Sequence, residues 1–427
     1  MASLNSTRKL LIVVVVALTL RVAVIPFLIG DVLDPARDHW DFGWEEGRIA
    51  RSIAAGEGFS SPLFGQTGKT AWTTPVYPYL LAGVFRVFGI YSHASAWVIL
   101  ILNALFSALT CIPVYFVANR SFGPGAASWA IWIWAFHPYA IYLVSGRVWG
   151  FCLDALFMAL LLWCTLALQE QSSIPRWIGY GLVWGVAALE NAVILSTLPF
   201  LLGWLAWRRR RRGVEWRFRA AAALLTLLLT VTPWFVRNYQ AFGRFIPFRA
   251  TFWMIFWESN TGDTSDLYPD WTNPAHNDAE MEEYRRLGEL GYADEKRSTS
   301  LKNLRNHPGL FLWLTFKRVV YTWTGYWSFN PVFLSQEPTA IPNIGFCSLM
   351  TILLLLGLRQ ARRISRDAAV PLVLVLFSYP LVYYVTHPGV DYRHPVDPVI
   401  VIFLGVLACA LAARFARAPA QAQTSQP

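Results

Sequence analysis

The chain has 427 residues, of which 55% are hydrophobic and only 15% are charged, and its formal net charge is +10. Soluble domains carry about 25% charged residues, so this composition argues against an ordinary soluble enzyme, and the apolar content excludes disorder over most of the chain. The basic residues lie beside apolar segments, which favours membrane topology over a nucleic-acid-binding surface.

About ten apolar stretches are candidates for membrane spans, since a spanning helix needs about 20 mostly apolar residues. They lie near 10–30, 97–118, 125–144, 149–168, 176–190, 192–207, 219–236, 341–358, 369–386 and 397–414. The first run contains Arg21 and lacks a small-residue cleavage pattern, which favours a retained helix over a signal peptide. We therefore predict an all-α integral membrane protein with a single domain over 1–414 and a disordered cytoplasmic tail over 415–427.

Three arginine clusters support this arrangement, because positively charged loops stay in the cytoplasm. The clusters fall on one side when ten spans are counted, and they lie at 208–212, 359–366 and 414–417. Both termini are then cytoplasmic, and the external loops cover about 31–96, 237–340 and 387–396. Counting Gly309–Trp327 as a span would move the second cluster outside. We expect this segment and Tyr77–Gly89 to be helices that lie on the outer membrane surface.

The first external loop carries the most informative stretch, DHWDFGWEEGRIARSIAAGEGFSSP, at residues 38–62. Residues 44–55 favour a helix, and two glycines follow it. On that helix Glu45 and Arg48 share one face, so a carboxylate and a guanidinium are held just outside the first span. The alternative is a surface helix whose charges face water.

Basic residues in external loops run against the topological bias, so we expect an anionic partner for them, such as a lipid-linked phosphate. The candidates in the first two loops are Lys69, Arg237, Arg244 and Arg249. The last loop reads HPGVDYRHPV, and its substrate-binding candidates are Tyr392, Arg393 and His394. The alternative for each cation is lipid anchoring or pairing with loop acids.

The last loop also has a metal-capable composition in His387, Asp391, His394 and Asp397. Their spacing matches no strong ligand motif, so the sequence predicts no definite metal site and leaves a divalent metal open. The sequence also has no P-loop, no GxSxG and no HExxH motif, so a nucleotide-driven pump or a zinc protease is unsupported.

Three ionisable residues fall within predicted spans, where such groups are costly and are functional candidates by default. They are Arg21, Asp154 and Glu190. Glu190 and the following Asn191 lie where two spans meet on the outer side, so we expect both side chains to be exposed.

Four motifs occur in an order that resembles a known family. An acidic helix follows the first span, and after it come PVYPYLLAGVFRVFG, PWFVRNY and DYRHPVDP. This pattern resembles the membrane glycosyltransferases of the C superfamily. It is similar to the bacterial relatives of protein O-mannosyltransferases, in glycosyltransferase family 39, and of the aminoarabinose transferase that modifies lipid A.

The resemblance implies a donor sugar on a polyprenyl phosphate, reaction at the outer membrane face, and inversion at the anomeric carbon. It implies that an acidic residue of the first external loop acts as the base, which corresponds to Glu45 here, with Asp41 as the second candidate. Many relatives have Asp–Glu at this place, where this chain has Glu–Glu. Many also carry an acidic residue after a Trp at the start of the fourth span, where Gly150 follows Trp149.

We therefore predict a glycosyltransferase of the bacterial inner membrane that transfers a sugar to a lipid, glycan or protein acceptor. Glu45 or Asp41 is the predicted base, Arg48 orients Glu45, and Lys69, Arg237 and Arg393 contact the phosphate. The alternatives are a multi-pass transporter or lipid flippase, and a non-catalytic scaffold derived from the family. Paired broken helices and an internal repeat are typical of transporters, and we see neither in the sequence.

Overall fold

The computed structural model describes residues 2–33, 42–171, 173–261, 267 and 272–423. These residues form helices and connecting turns, and no strand occurs among them. One isolated antiparallel bridge joins Ser60 to Lys69 in the first loop. The prediction of an all-α fold is confirmed.

The first half of the chain forms ten α-helices among its described residues, numbered here in chain order. They are α1 Ala2–Val32, α2 Trp44–Ala54, α3 Val76–Phe88, α4 His93–Leu109, α5 Cys111–Phe122, α6 Pro124–Ala135, α7 Pro138–Gly146, α8 Phe151–Ala167, α9 Ile174–Glu190 and α10 Leu198–Arg211.

The second half adds ten more within the described ranges. They are α11 Arg217–Phe242, α12 Phe252–Glu258, α13 Asp278–Asn306, α14 Pro308–Thr324, α15 Pro331–Gln336, α16 Ala340–Ile364, α17 Arg366–Ser378, α18 Leu381–Val385, α19 Val390–Arg393 and α20 Asp397–Gln423. The last helix continues past residue 414 into the predicted tail, and 424–427 lie outside the described residues.

Six helical segments of the described chain are long and apolar enough to cross a membrane, as expected for an integral membrane protein. They are Thr7–Gly30, His93–Phe122, Arg217–Phe242, Ala340–Ile364, Arg366–Val385 and Val390–Ala416. The other predicted spans fall on shorter helices. The span expected at 125–144 is divided at His137, because Pro138 begins α7 and His137 Nδ1 accepts a hydrogen bond from Ala140 N. The count of ten crossings stays a prediction.

One end of the bundle gathers the predicted cytoplasmic charges. Arg120 and Arg212 both pair with Glu170, at 3.1 and 3.5 Å, and Arg208 pairs with Asp367 at 2.6 Å. The first two arginine clusters therefore lie at the same end of the helices. The assignment of this end to the cytoplasm remains a prediction.

The opposite end carries the helices that interrupt the long spans. In the first loop α2 packs against α3, and the Arg86 guanidinium donates to the Ile53 carbonyl at 3.0 Å. In the second loop α12, α13 and α14 pack together. In the α14 helix the apolar side chains of Leu312 and Trp313 are exposed and that of Leu314 is buried, so the helix offers apolar surface on its outer side; its place at the membrane surface stays a prediction.

Candidate active site

The turn into α2 places two carboxylates at the start of a helix. Gly43 has a positive φ of 98°, and a Cβ at Gly47 would collide with the Phe42 carbonyl oxygen, so this tight entry requires small residues. Glu45 and Glu46 occupy the first turn, where the helix dipole favours negative charge. Asp41, the second predicted base, lies outside the described residues.

The two carboxylates of this turn differ in their surroundings. Both side chains are half-buried, but the Oε2 atom of Glu46 is itself buried and has no hydrogen-bond partner among the described residues. Burial raises the pKa of Glu46 to about 8, the positive charge of Arg249 partly offsets this, and the charges of Asp154 and Glu45 raise the pKa further. Glu46 is therefore a carboxyl group that titrates near neutral pH.

Two further carboxylates lie close to Glu46. Asp154 is in the first turn of α8 and Glu190 is the last residue of α9, and each interacts electrostatically with Glu46. Glu190 Oε1 lies so close to Gly150 that a Cβ at that position would collide with it. Gly150 thus leaves room for a carboxylate from another helix. We call Glu46, Asp154 and Glu190 the carboxylate cluster.

The expectation that Glu190 and Asn191 are exposed is wrong. Glu190 is only 6% exposed, and Asn191 Nδ2 donates to Asp154 Oδ2 at 2.8 Å. The Asn191 side chain also caps the next turn, because its Oδ1 accepts from Val193 N at 3.0 Å. The α9 helix ends against α8 instead of ending in solvent. The sequence signal that could have predicted this burial was the occurrence of ionisable residues within apolar stretches.

Arg249 is a cation that acts electrostatically on two members of the carboxylate cluster. Its charge acts on Glu46 and on Asp154. Its Nε atom donates to the Trp72 carbonyl at 3.0 Å, and Ala250 N donates to the Ala71 carbonyl at 2.9 Å, so main-chain contacts hold this turn. Sequence analysis named Arg249 as an outer basic residue but did not connect it with α2.

The segment that positions Arg249 is itself anchored by α13. The Glu289 carboxylate accepts from Ala71 N at 2.7 Å and from the Thr70 hydroxyl. Burial raises the pKa of Glu289, and the hydrogen bonds from Thr70 and Ala71 oppose this rise. Glu289, in the second loop, therefore fixes residues 70–71 of the first loop, next to the Trp72 carbonyl that Arg249 contacts.

Aromatic contacts connect α2 to the last loop. The Trp44 and Trp149 ring centroids are 4.6 Å apart, and those of Trp149 and Tyr392 are 6.2 Å apart. Arg147 lies 5.7 Å from the Trp44 ring centroid and pairs with Asp391 at 3.4 Å. Of the predicted residues in the last loop, Tyr392 is thus the one that approaches the α2 entry.

Arg237 and Lys69 belong to one neighbourhood, the loop at residues 59–70. Arg237 donates to the carbonyls of Thr70 and Phe59, both at 2.6 Å, and its guanidinium lies 5.0 Å from the Phe59 ring centroid. Lys69 is exposed beside the Ser60 bridge. Arg48 is buried with its guanidinium 4.2 Å from the Phe64 ring centroid. None of these described contacts involves Glu45.

Arg393 and His394 point into the helix core. Arg393 Nε lies 3.3 Å from Asp397 Oδ1, and His394 Nδ1 lies 3.0 Å from Asp397 Oδ2, with all three side chains fully buried. Trp134 stacks on the His394 ring, with centroids 5.5 Å apart. The spacing of four residues between Arg393 and Asp397 is the sequence signal for this pair.

The four residues with metal-capable composition separate into different contacts. His387 Nε2 lies 2.7 Å from the Tyr392 hydroxyl, Asp391 pairs with Arg147, and His394 pairs with Asp397. Burial lowers the pKa of His387 to about 3, and the charges of Arg249 and Arg318 contribute. Among the described residues, no three His, Cys, Asp or Glu side chains are grouped to hold a metal ion.

Comparisons with known proteins extend these observations. Residues 72–236 match the sequence model of the family described as dolichyl-phosphate-mannose-protein mannosyltransferase. No curated protein matches the chain significantly. The fold is similar to that of the oligosaccharyltransferase AglB from Archaeoglobus fulgidus, solved with an inhibitory peptide and a dolichol-phosphate. The TM-score is 0.57 at 15% identity, with 99% of this chain and 52% of that chain covered.

Two other solved structures also match the chain. The same archaeal enzyme in the apo form matches with a TM-score of 0.55 at 14% identity, over 99% of this chain and 52% of that one. ArnT from Cupriavidus metallidurans bound to undecaprenyl phosphate matches at 15% identity with a TM-score of 0.40, over 98% of this chain and 81% of that one. This chain thus spans about half the length of the archaeal enzyme. The family match over residues 72–236 bears out the resemblance to protein O-mannosyltransferases, and the similarity to the archaeal structures shows a shared fold.

Proposed function

We propose that this protein transfers a sugar from a polyprenyl-phosphate donor to an acceptor at the external face of the bacterial inner membrane, with both termini in the cytoplasm. The observation that carries the proposal is the carboxylate cluster, in which the charge of Arg249 acts on Glu46 and Asp154, at the end of the bundle opposite the paired arginine clusters. Such a site provides a proton acceptor and a fixed positive charge, which are the two groups that transfer from a phosphate ester requires.

The proposed base is a carboxylate of the first turn of α2. The burial of the Oε2 atom and a pKa of about 8 favour Glu46 for this role, because a base is most effective when its pKa is near the working pH. Glu45, the base expected from the sequence, is half-buried beside it and is proposed to position the acceptor. Asp41 remains a candidate on the sequence alone.

The proposed step is a single displacement. The acceptor hydroxyl oxygen attacks the anomeric carbon, its proton passes to Glu46, and the bond from the anomeric carbon to the phosphate oxygen breaks. The electron pair of that bond leaves on the polyprenyl phosphate, and Arg249 stabilises the negative charge. Attack from the side opposite the departing phosphate inverts the configuration.

The other predicted cations have different proposed roles. Arg237 holds the 59–70 loop through two carbonyls, so we propose that it positions this loop. Lys69 is exposed on the same loop and is proposed as a further phosphate contact. Arg393 is paired in the core, so we propose that it stabilises the start of α20, and His394 shares this role.

The experiment is sugar transfer by the purified protein in liposomes. Polyprenyl phosphates carrying radiolabelled mannose or aminoarabinose are supplied, and release of polyprenyl phosphate and labelling of bacterial envelope lipids, glycans and proteins are measured. We expect turnover by the wild type and its loss in Glu46→Gln, with Glu282→Gln, an exposed site on α13, as the matched control. Movement of the intact donor lipid across the membrane without bond cleavage would instead support a flippase.

A further inference from the structure

The second loop contains a cavity that the proposed reaction does not use. Its volume is about 310 Å³, and it lies between α12, the end of α13 and the start of α14. Phe256 and Asn260 line one side, Ser300 and Asn303 line another, and Phe311 lies on the third. A cavity of this size accommodates a single sugar ring or a group of similar volume.

Two hydroxyl groups of this cavity lack the partners that buried hydroxyls normally have. Ser300 is 3% exposed, and its Oγ makes no hydrogen bond with any described residue. The Oγ1 of Thr261 is also buried and has no hydrogen-bond partner in the described chain. Serines within helices commonly donate to the carbonyl four residues earlier, which Ser300 does not do. Both hydroxyls are therefore available to a bound ligand.

The remaining lining indicates the chemical class of that ligand. The Phe256 and Phe311 rings, with centroids 5.9 Å apart and planes inclined at 34°, form an apolar wall. Asn303 adds an amide, and His307 is exposed at the rim. None of the described lining residues is Asp, Glu, Lys or Arg. Uncharged hydrogen-bonding groups beside aromatic rings suit a neutral ligand that has several hydroxyls and an apolar face, as a sugar ring has.

The cavity is connected to the candidate active site through its inner wall. Asn260 Nδ2 donates to the Val385 carbonyl at 3.3 Å, and Asn260 Oδ1 accepts from Arg318 at 3.2 Å. His387, two residues beyond Val385, lies within the electrostatic influence of both Arg318 and Arg249. The cavity thus adjoins the segment at Val385 that leads to the last loop. Arg249, whose charge acts on His387 at the end of this segment, also acts on Glu46.

We infer that this cavity binds an uncharged sugar ring of the acceptor and so selects a glycan-bearing acceptor. The inference rests on the proposed function, because it assigns the acceptor of that reaction. The cavity residue Asn260 contacts the Val385 carbonyl, whereas the donor phosphate is proposed to lie at Arg249.

The test uses photoreactive octyl glycosides of glucose, mannose, galactose and N-acetylglucosamine, each with a diazirine on the octyl chain, and the full chain in detergent. We expect at least one to label peptides within 252–261 or 298–314, with displacement by excess of the matching methyl glycoside. A tetraethylene glycol octyl ether with the same diazirine controls for the alkyl chain. Equal labelling by this sugar-free probe, or labelling that no methyl glycoside displaces, would overturn the inference.

Variants make the assignment specific. Ser300→Ala and Thr261→Val each remove one hydroxyl with little change in volume, and we expect each to reduce displaceable labelling about fivefold. Ser335→Ala, which removes an exposed hydroxyl on α15, is the matched control. Undiminished labelling of both folded cavity variants would contradict the inference. Labelling does not require turnover, so a wild type that binds the sugar without transferring one would refute the proposed function and the acceptor role, and would leave the sugar-binding cavity standing.

Discussion

Glu46→Gln tests the proposed chemistry most directly, because it removes the titrating group and preserves the shape of the side chain. A general base contributes about 10²–10⁴-fold to the rate, so we expect kcat/KM to fall within that range. With a pKa of about 8, about 1% of Glu46 is ionised at pH 6, so wild-type kcat/KM should rise about 100-fold from pH 6 to its plateau above pH 8. The variant should lose this dependence.

Glu46→Gln should lower the rate, but it should raise the stability of the protein at alkaline pH. The pKa of Glu46 is raised in the folded protein, so the folded state binds more protons than the unfolded state between about pH 4.5 and pH 8. Stability should therefore fall as the pH rises through this window, by at most about 5 kcal/mol if the whole shift is expressed. The glutamine variant should lack this loss and unfold at a higher temperature than the wild type at pH 9.

The assay combines initial rates in liposomes from pH 5.5 to 9.5 with thermal unfolding of the same preparations. Glu282→Gln, at an exposed position of α13, should match the wild type in both measurements. The reasoning is refuted if Glu46→Gln keeps the wild-type rate and pH profile. If Glu45→Gln alone abolishes that profile, the base is Glu45 and the role proposed for Glu46 is wrong.

Three other substitutions examine the groups around this base. Arg249→Gln should lower kcat by about 10²–10³-fold, as does the loss of one donor that stabilises the developing negative charge. It should also move the midpoint of the pH profile upwards, because a charge that lowers the pKa of Glu46 is removed. An unchanged midpoint would contradict the proximity of Arg249 and Glu46. Gly150→Ala should displace the Glu190 carboxylate and reduce kcat, whereas unchanged kinetics and unfolding temperature would show that the site tolerates the methyl group. Arg393→Met should destabilise the protein by about 3–5 kcal/mol, because the buried carboxylate of Asp397 would lose the positive charge that Arg393 supplies. Unchanged thermal unfolding with a raised donor KM would instead indicate a phosphate contact.

The amino-acid sequence by itself determined the class of protein. Apolar stretches of spanning length predict helices in a membrane, because lipid provides no hydrogen-bond partners for an open backbone. The arginine clusters predicted a common end, and ion pairs of Arg208 and Arg212 lie there together. The acidic start of α2 was also recognisable, since carboxylates favour the first turn of a helix.

The tertiary structure alone decided which side chains meet. Hydropathy identifies the end of an apolar stretch but does not tell whether another helix covers it, so Glu190 was expected in solvent and lies buried beside Gly150. Arg249 and Glu46 are far apart in the chain, and only the packing of the first and second loops brings them together. Arg393 was expected to contact a phosphate from the predicted last external loop, but its side chain is buried in the helix core. It turns inward because the carboxylate of Asp397, one helical turn away, neutralises its charge.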